Sequence, residues 1–247
     1  MKKIIGKEYT AEALLGRANI FRWLAQGLVY PYAGHRRAFL SGVPKEKMGT
    51  DLVLHRIKPS LNRINRSWRL ASATELEYEY HRLFLGNGPC LLHETAYGDA
   101  RRMAGRPAEL ADISGFYSAF GFELSESHPD LADHLGAELE FYSLLLFKQA
   151  YARSRSWHAK RRLTENAGRV FLEYHLGRWI GALADSLQEA GAAPPYRELV
   201  RAADILVKTE CQRTGAHPAI TGGRLSNDEM QEEEFICPHE KEHTNCA

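Results

Sequence analysis

Apolar residues recur at three-to-four spacing along almost the whole chain, the period of helices that turn one face to a core. Leu14, Ala18, Phe21, Ala25 and Leu28 form the first stripe, and Pro31 stops it. A weaker stripe predicts a helix over roughly 46–69, and another over roughly 72–85. Residues 107–121 read as a short helix closed by Gly121. The stretch SHPDLADHLGAELEF (127–141) then opens the most apolar helix of the chain. Leu135, Leu139, Tyr142 and Leu146 make one stripe there, while Phe141, Leu144, Leu145 and Phe147 cover other sides, the pattern of a helix in the middle of a bundle. Ser127 with Asp130 three residues on, and Pro129 in the first turn, signal its start; Asp133 is an alternative cap. Leu172, Leu176, Ile180, Leu183 and Leu187 predict one further long helix, ended by Gly191 and Pro194-Pro195, and 196–211 the last. With no strand alternation and no internal repeat, the fold class is all-α.

Two stretches break the helical period. GNGPCLLHETAYGDARR (86–102) reads as an ordered loop or broken helix, because Gly and Pro interrupt it. Residues 213–247 carry few large apolar side chains and an acidic run of Asp228, Glu229, Glu232, Glu233 and Glu234, so a mobile acidic tail is expected.

At 247 residues the chain is long enough for a substantial core. Its formal net charge of +1 gives no bulk field that favours nucleic acid or a membrane, and Arg101-Arg102 and Lys160-Arg161-Arg162 read as solvated helix faces. The N-terminal MKKIIGKEYTAEA lacks the apolar stretch of a signal peptide, and the densest apolar run, 144–147, is too short to span a bilayer. Cys90, Cys211, Cys237 and Cys246 do not suggest a disulfide framework. A cytoplasmic protein with reduced thiols and no stable membrane insertion is the expectation.

Candidate chemistry centres on two places. His134 and Glu138 are i,i+4 neighbours that can share a metal, yet only Asp133 and Glu140 lie nearby, and Glu140 is expected to point the opposite way. Polar groups hydrogen-bonded where a buried helix meets a loop are the simpler reading. The terminal CPHEKEHTNC supplies Cys237, His239, His243 and Cys246, four competent ligands whose spacing matches no common zinc finger or knuckle. None of the eleven histidines precedes an Asp, which removes the His-Asp signature of helical phosphohydrolases. GNGP (86–89) is followed by no Gly-Lys-Ser/Thr, and Cys90 with His93 nearby shows no cue for thiolate activation. No catalytic constellation is complete, so neither catalysis nor a cofactor is expected.

EYEYHRLFLGNGP (77–89) resembles the Glu-x-x-Tyr-x-x-Leu-Phe-x-Gly…Pro signature of the TorD/DmsD/NarJ family, cytoplasmic chaperones that mature molybdopterin-containing oxidoreductases. Residues 111–141 resemble the family's central block with its Asp-His hinge, and FLEYHLGRWIGALADSL (171–187) its Phe-x-x-x-His-Leu-x-x-Trp block. The resemblance implies a bundle of two helical parts, 1–125 and 135–212, joined by a hinge at 126–134. It implies a non-enzyme that binds the apo catalytic subunit of a molybdenum enzyme, often through its twin-arginine signal peptide, as a monomer or a domain-swapped dimer. Tyr80, Leu83, Phe84, Gly86 and Pro89 match the first motif, Asp133 and His134 the hinge, and Glu138 and Glu140 the helix after it. A groove for two arginines beside an apolar segment wants apolar walls with a carboxylate at one end. Tyr80, Leu83 and Phe84 are the expected walls, and Asp133 and Glu138 the carboxylates. The alternative is a helical metal-binding protein that uses the terminal Cys/His cluster.

Overall fold

Thr10 opens the first helix, α1 (Ala11–Gln26): its hydroxyl accepts the Ala13 N–H at 3.1 Å. The computed structural model describes residues 10–44, 52–98, 106–124 and 131–222. After α1 come α2 (His35–Ser41), α3 (Leu52–Leu70), α4 (Ala73–Phe84), α5 (Arg106–Ala119), α6 (Leu135–Ser154), α7 (His158–Tyr174), α8 (Leu176–Glu189) and α9 (Pro194–Thr214), with a 3-10 turn at Glu94–Ala96. The described residues contain no strand, and the fold is all-helical. None of their helices is long and apolar enough to cross a membrane.

The helix ends follow local chemistry. Ser72 and Glu75 form a reciprocal capping box on α4. Pro194 starts α9, and Gly215, left-handed at φ 73°, ends it. Two boundaries differ from the sequence expectation. Ser127, Pro129 and Asp130 lie outside the described residues, and α6 is capped by His134, not Asp133: the His134 Nδ1 accepts the Gly136 N–H at 3.1 Å. The single long helix expected around Leu172–Leu187 is two helices, α7 and α8, broken at His175 (φ −129°, ψ −101°). Both bury the same apolar stripe, so periodicity alone does not reveal a one-residue break. A Cβ on Gly177 would collide with the Leu172 carbonyl, so glycine permits this close turn.

One continuous core joins both expected helical parts. Phe21, Trp23 and Leu24 of α1, Ile64 and Trp68 of α3, Leu139 and Tyr142 of α6, and Leu199 and Leu206 of α9 are all buried in it. Ser143 of α6 donates to the Ala18 carbonyl of α1 at 2.8 Å, and the Trp68 indole of α3 donates to the Pro195 carbonyl of α9 at 3.3 Å. The short α2, which carries no readable period of its own, inserts Phe39 between Trp23 (4.6 Å, stacked) and Trp68 (4.1 Å).

A buried ionic cluster ties the chain's two halves together. Arg17 of α1 and Glu210 of α9, both fully buried, meet at 2.8 Å. Arg213 reaches the other Glu210 oxygen at 2.7 Å, and the Tyr142 hydroxyl donates to it at 3.0 Å. Burial alone would raise the Glu210 pKa, but the two guanidinium groups hold it down at about 2.

Past Gln212 the chain does not leave the body at once. Helix α9 continues to Thr214, Ala216 is buried, and Thr221 donates from its N–H (3.0 Å) and its hydroxyl (3.2 Å) to the Arg178 carbonyl of α8. The expected tail therefore begins as a docked strap up to Gly222. The acidic run and Cys237, His239, His243 and Cys246 lie outside the described residues.

Candidate functional site

The loop after α4 is built to double back. Gly86 takes a left-handed φ of 57°, a Cβ on Gly88 would sit 2.5 Å from the Leu83 carbonyl, and the Cys90 N–H bonds that same carbonyl at 2.9 Å. The returning strand of chain is then laced to the Asp-His segment. Leu135 N–H donates to the Leu92 carbonyl at 2.8 Å and Glu94 N–H to the Asp133 carbonyl at 3.0 Å, an antiparallel bridge between His93 and His134. Two sequence blocks some forty positions apart thus meet at one seam.

Asp133 fastens that seam. Its fully buried carboxylate accepts the Thr95 N–H (3.1 Å) and hydroxyl (2.6 Å), and faces His93 Nδ1 at 3.2 Å. Burial pushes its pKa up, but these partners outweigh it and bring the carboxyl below its ordinary value.

The third block arrives from the α7–α8 break. His175 Nδ1 lies 3.1 Å from the buried Glu94 carboxylate, and its Nε2 lies 3.1 Å from Asp112 of α5. Trp179 donates its indole N–H to Glu138 Oε2 at 3.3 Å, while Glu138 Oε1 has no hydrogen-bond partner among the described residues. Glu138 is fully buried; that desolvation, with Glu94 and Asp133 nearby, pushes its pKa well above the carboxylate range and favours the protonated acid. His175 and Trp179 are the His and Trp of the Phe-x-x-x-His-Leu-x-x-Trp block, so that block was the available signal for two residues the sequence reasoning left without a role. His93, Glu94 and Thr95 carried no comparable signal.

The seam changes the standing of several expected binding residues. Asp133 and Glu138 have no exposed carboxylate to offer a cationic peptide. Leu83 is fully buried and Phe84 nearly so. Tyr80 donates to the Leu28 carbonyl at 3.1 Å and meets Phe84 and Tyr196 edge-on at 5.0 and 5.9 Å. All three side chains belong to the hydrophobic core, and Tyr80 and Phe84 of α4 pack there against Tyr196 of α9. Gly86 and Pro89 remain at the surface.

Two concavities border these elements. One, of about 300 Å³, lies between the end of α1 and the start of α6, with His134 on its edge. Val29, Tyr32, Phe122 and Leu124 supply apolar walls, Glu123 and Glu140 supply carboxylates, and among the described residues no Lys or Arg lines it. Glu140, expected opposite His134, shares this concavity with it, because His134 is the cap rather than a turn of α6. Partial burial pushes the Glu140 pKa up, opposed by Arg22 of α1. The other, of about 810 Å³, runs between α8, α9 and the strap, with Pro89 and Gly181 in its lining and Asp185, Glu189 and Lys208 as its charges.

Among the described residues no group of three or more His, Cys, Asp or Glu is placed to hold a metal. Cys90 and Cys211 are buried thiols outside any disulfide, and burial pushes Cys211 up to about 11, away from thiolate chemistry.

Comparison with known proteins agrees with the motif blocks. The sequence model of the nitrate reductase delta subunit family matches residues 49–185. A perchlorate reductase assembly chaperone protein of Dechloromonas aromatica (strain RCB) is 28% identical over 176 residues, 67% of this chain and 75% of that protein. A selenate reductase assembly chaperone protein of Thauera selenatis is 32% identical over 134 residues, 51% of this chain and 67% of its own.

Proposed function

This chain belongs to the nitrate reductase delta subunit family of redox-enzyme maturation chaperones, and we propose that it binds the apo catalytic subunit of a molybdenum-containing oxidoreductase. It holds that subunit in the cytoplasm for cofactor insertion and engages it through a twin-arginine signal peptide. The chain is a chaperone, not an enzyme, in keeping with relatives that are named for assembly.

The observation that carries the peptide reading is the concavity beside His134. Two carboxylates, Glu123 and Glu140, border apolar walls, and among the described residues no Lys or Arg is in the lining, Arg22 acting on Glu140 from outside it. A guanidinium forms paired hydrogen bonds with a carboxylate, and an apolar side chain next to it desolvates on Tyr32 and Leu124. At about 300 Å³ the space takes one or two side chains rather than a whole peptide, so it serves as the anchor of a longer contact. The buried seam supports the anchor from behind: Asp133 fixes the loop, and His134 caps the helix that carries Glu140. Asp133 and Glu138 are thereby positioning groups.

Titration of the purified protein with a synthetic peptide bearing two consecutive arginines before an apolar stretch tests this reading. Exchanging Glu123 and Glu140 together for Lys is expected to weaken binding by about tenfold or more, since charge-assisted hydrogen bonds contribute roughly 1.5–3 kcal/mol each. Unchanged affinity in a variant that melts like the wild type refutes the assignment.

A further inference from the structure

Residues 147–163 contain six Lys or Arg (Lys148, Arg153, Arg155, Lys160, Arg161, Arg162) and no Asp or Glu, in a chain whose formal net charge is only +1. This is the corner where α6 ends and α7 begins. The corner is tightly fixed: Ser156 N–H bonds the Arg153 carbonyl at 3.0 Å, Trp157 N–H bonds the Ala152 carbonyl at 2.8 Å, and Ser156 holds a left-handed φ of 57°. Non-glycine residues take that conformation uncommonly.

The fixed turn presents apolar rings to solvent. Phe147 (52% exposed) and Tyr151 (47%) sit one turn apart on α6, and Tyr151 meets Trp157 (42%) edge-on at 5.6 Å. Leu163, 63% exposed, follows one turn after Lys160 on α7. Cations lie over this ribbon: Lys160 Nζ is 4.0 Å from the Trp157 ring centroid, and the Arg155 guanidinium 5.6 Å from that of Tyr151. Beside them Arg153, Ser156, His158 and Arg161 line a pocket of about 240 Å³, with Arg161 also 3.5 Å from Glu165.

We propose that this corner is a docking surface for an anionic lipid bilayer, with the pocket receiving a head-group phosphate. Amphipathic rings settle at the head-group level of a membrane, and clustered Lys and Arg are drawn to its negative surface. A nucleic acid would meet the same cations but would leave Phe147 and Leu163 in water; a bilayer accounts for both the charge and the exposed apolar groups. The contact is peripheral, since no described helix can span a membrane. It lies at the C-terminal end of the 20-residue α6, whose N-terminal end borders the peptide concavity. At 1.5 Å per residue the two sites are separated by roughly 30 Å, so membrane docking leaves the client site open. The inference does not depend on the peptide assignment.

The chain itself supplies the probe. Of its four tryptophans, Trp23, Trp68 and Trp179 are buried, so a change in tryptophan emission on vesicle addition reports Trp157. The intact protein is mixed with vesicles of phosphatidylcholine alone, or with about one-third phosphatidylglycerol. Blue-shifted emission and co-sedimentation are expected with the anionic vesicles only, weakened by salt. Lys160→Glu with Arg162→Glu, both exposed positions, lowers that binding about tenfold or more, and Trp157→Ser abolishes the shift. No binding to anionic vesicles at low salt, equal binding to both vesicle types, or competition by inorganic phosphate or an oligonucleotide without any Trp157 shift overturns the proposal.

Discussion

Replacing Glu210 with Gln removes the anion at the centre of the buried ionic cluster while keeping its shape. The carboxylate lies between Arg17 and Arg213 and accepts the Tyr142 hydroxyl, so the change deprives two guanidinium groups of this partner inside the core. Its pKa of about 2 stands against an ordinary value of 4.5, a difference of roughly two and a half units. At about 1.4 kcal/mol per unit this corresponds to ~3 kcal/mol of folding stability. Removing one partner of a buried ion pair has a similar cost, about 3–5 kcal/mol. The pKa is depressed in the folded state, so this stability is fully present above pH 4.5 and is lost as pH falls towards about 2. Urea unfolding followed by far-ultraviolet circular dichroism, at neutral pH and at steps down to pH 3, measures both quantities. The Glu210→Gln variant is expected to lose ~3 kcal/mol at neutral pH and to show a gap from wild type that narrows with acidification. An equal midpoint for the two proteins at neutral pH would refute the reasoning.

Three other outcomes follow from the seam and the α7–α8 break. Asp133→Ala removes the acceptor for Thr95 and is expected to cost about 3 kcal/mol, with faster amide exchange at Thr95, where the broken bond lies. Because the Asp133 pKa is lowered on folding, wild type should lose this advantage as pH falls through the acid range. Glu138→Gln keeps an acceptor for the Trp179 indole and removes a carboxyl whose pKa folding raises. Wild-type stability from this group is therefore full below the ordinary carboxylate value and declines as pH rises towards the raised one, so the variant should be the more stable at neutral pH and lose that margin on acidification. Gly177→Ala forces a methyl into the Leu172 carbonyl at the α7–α8 break and is expected to lower the melting temperature by several degrees, about 1–3 kcal/mol of strain.

The long helices were legible because their apolar stripes run for several turns, as in α1, α6 and α9. What stayed hidden depends on contacts between distant residues. The break at His175 shows no loss of apolar period; it is marked by Glu94 and Asp112 on either side of the imidazole. His134 rather than Asp133 caps α6 because Asp133 is occupied by Thr95 and His93, partners some forty positions away. Tyr80, Leu83 and Phe84 belong to a recognisable motif, but a motif does not reveal how deeply its side chains are buried. The concavity itself is assembled from helix ends and connections, Val29, Tyr32, Phe122 and Leu124, where no periodic signal exists. The blocks were readable one by one, whereas their meeting at Asp133, Glu94, His175 and Trp179 required the fold.

The most direct test of the chaperone account is capture of this protein from lysate of the cells that make it, with the bound proteins identified and their molybdenum cofactor assayed in the same sample. The account predicts a molybdenum-enzyme catalytic subunit in near-equal amount, carrying its signal peptide and lacking cofactor. Recovery of the protein without such a subunit, or with only the cofactor-loaded mature form, would contradict it.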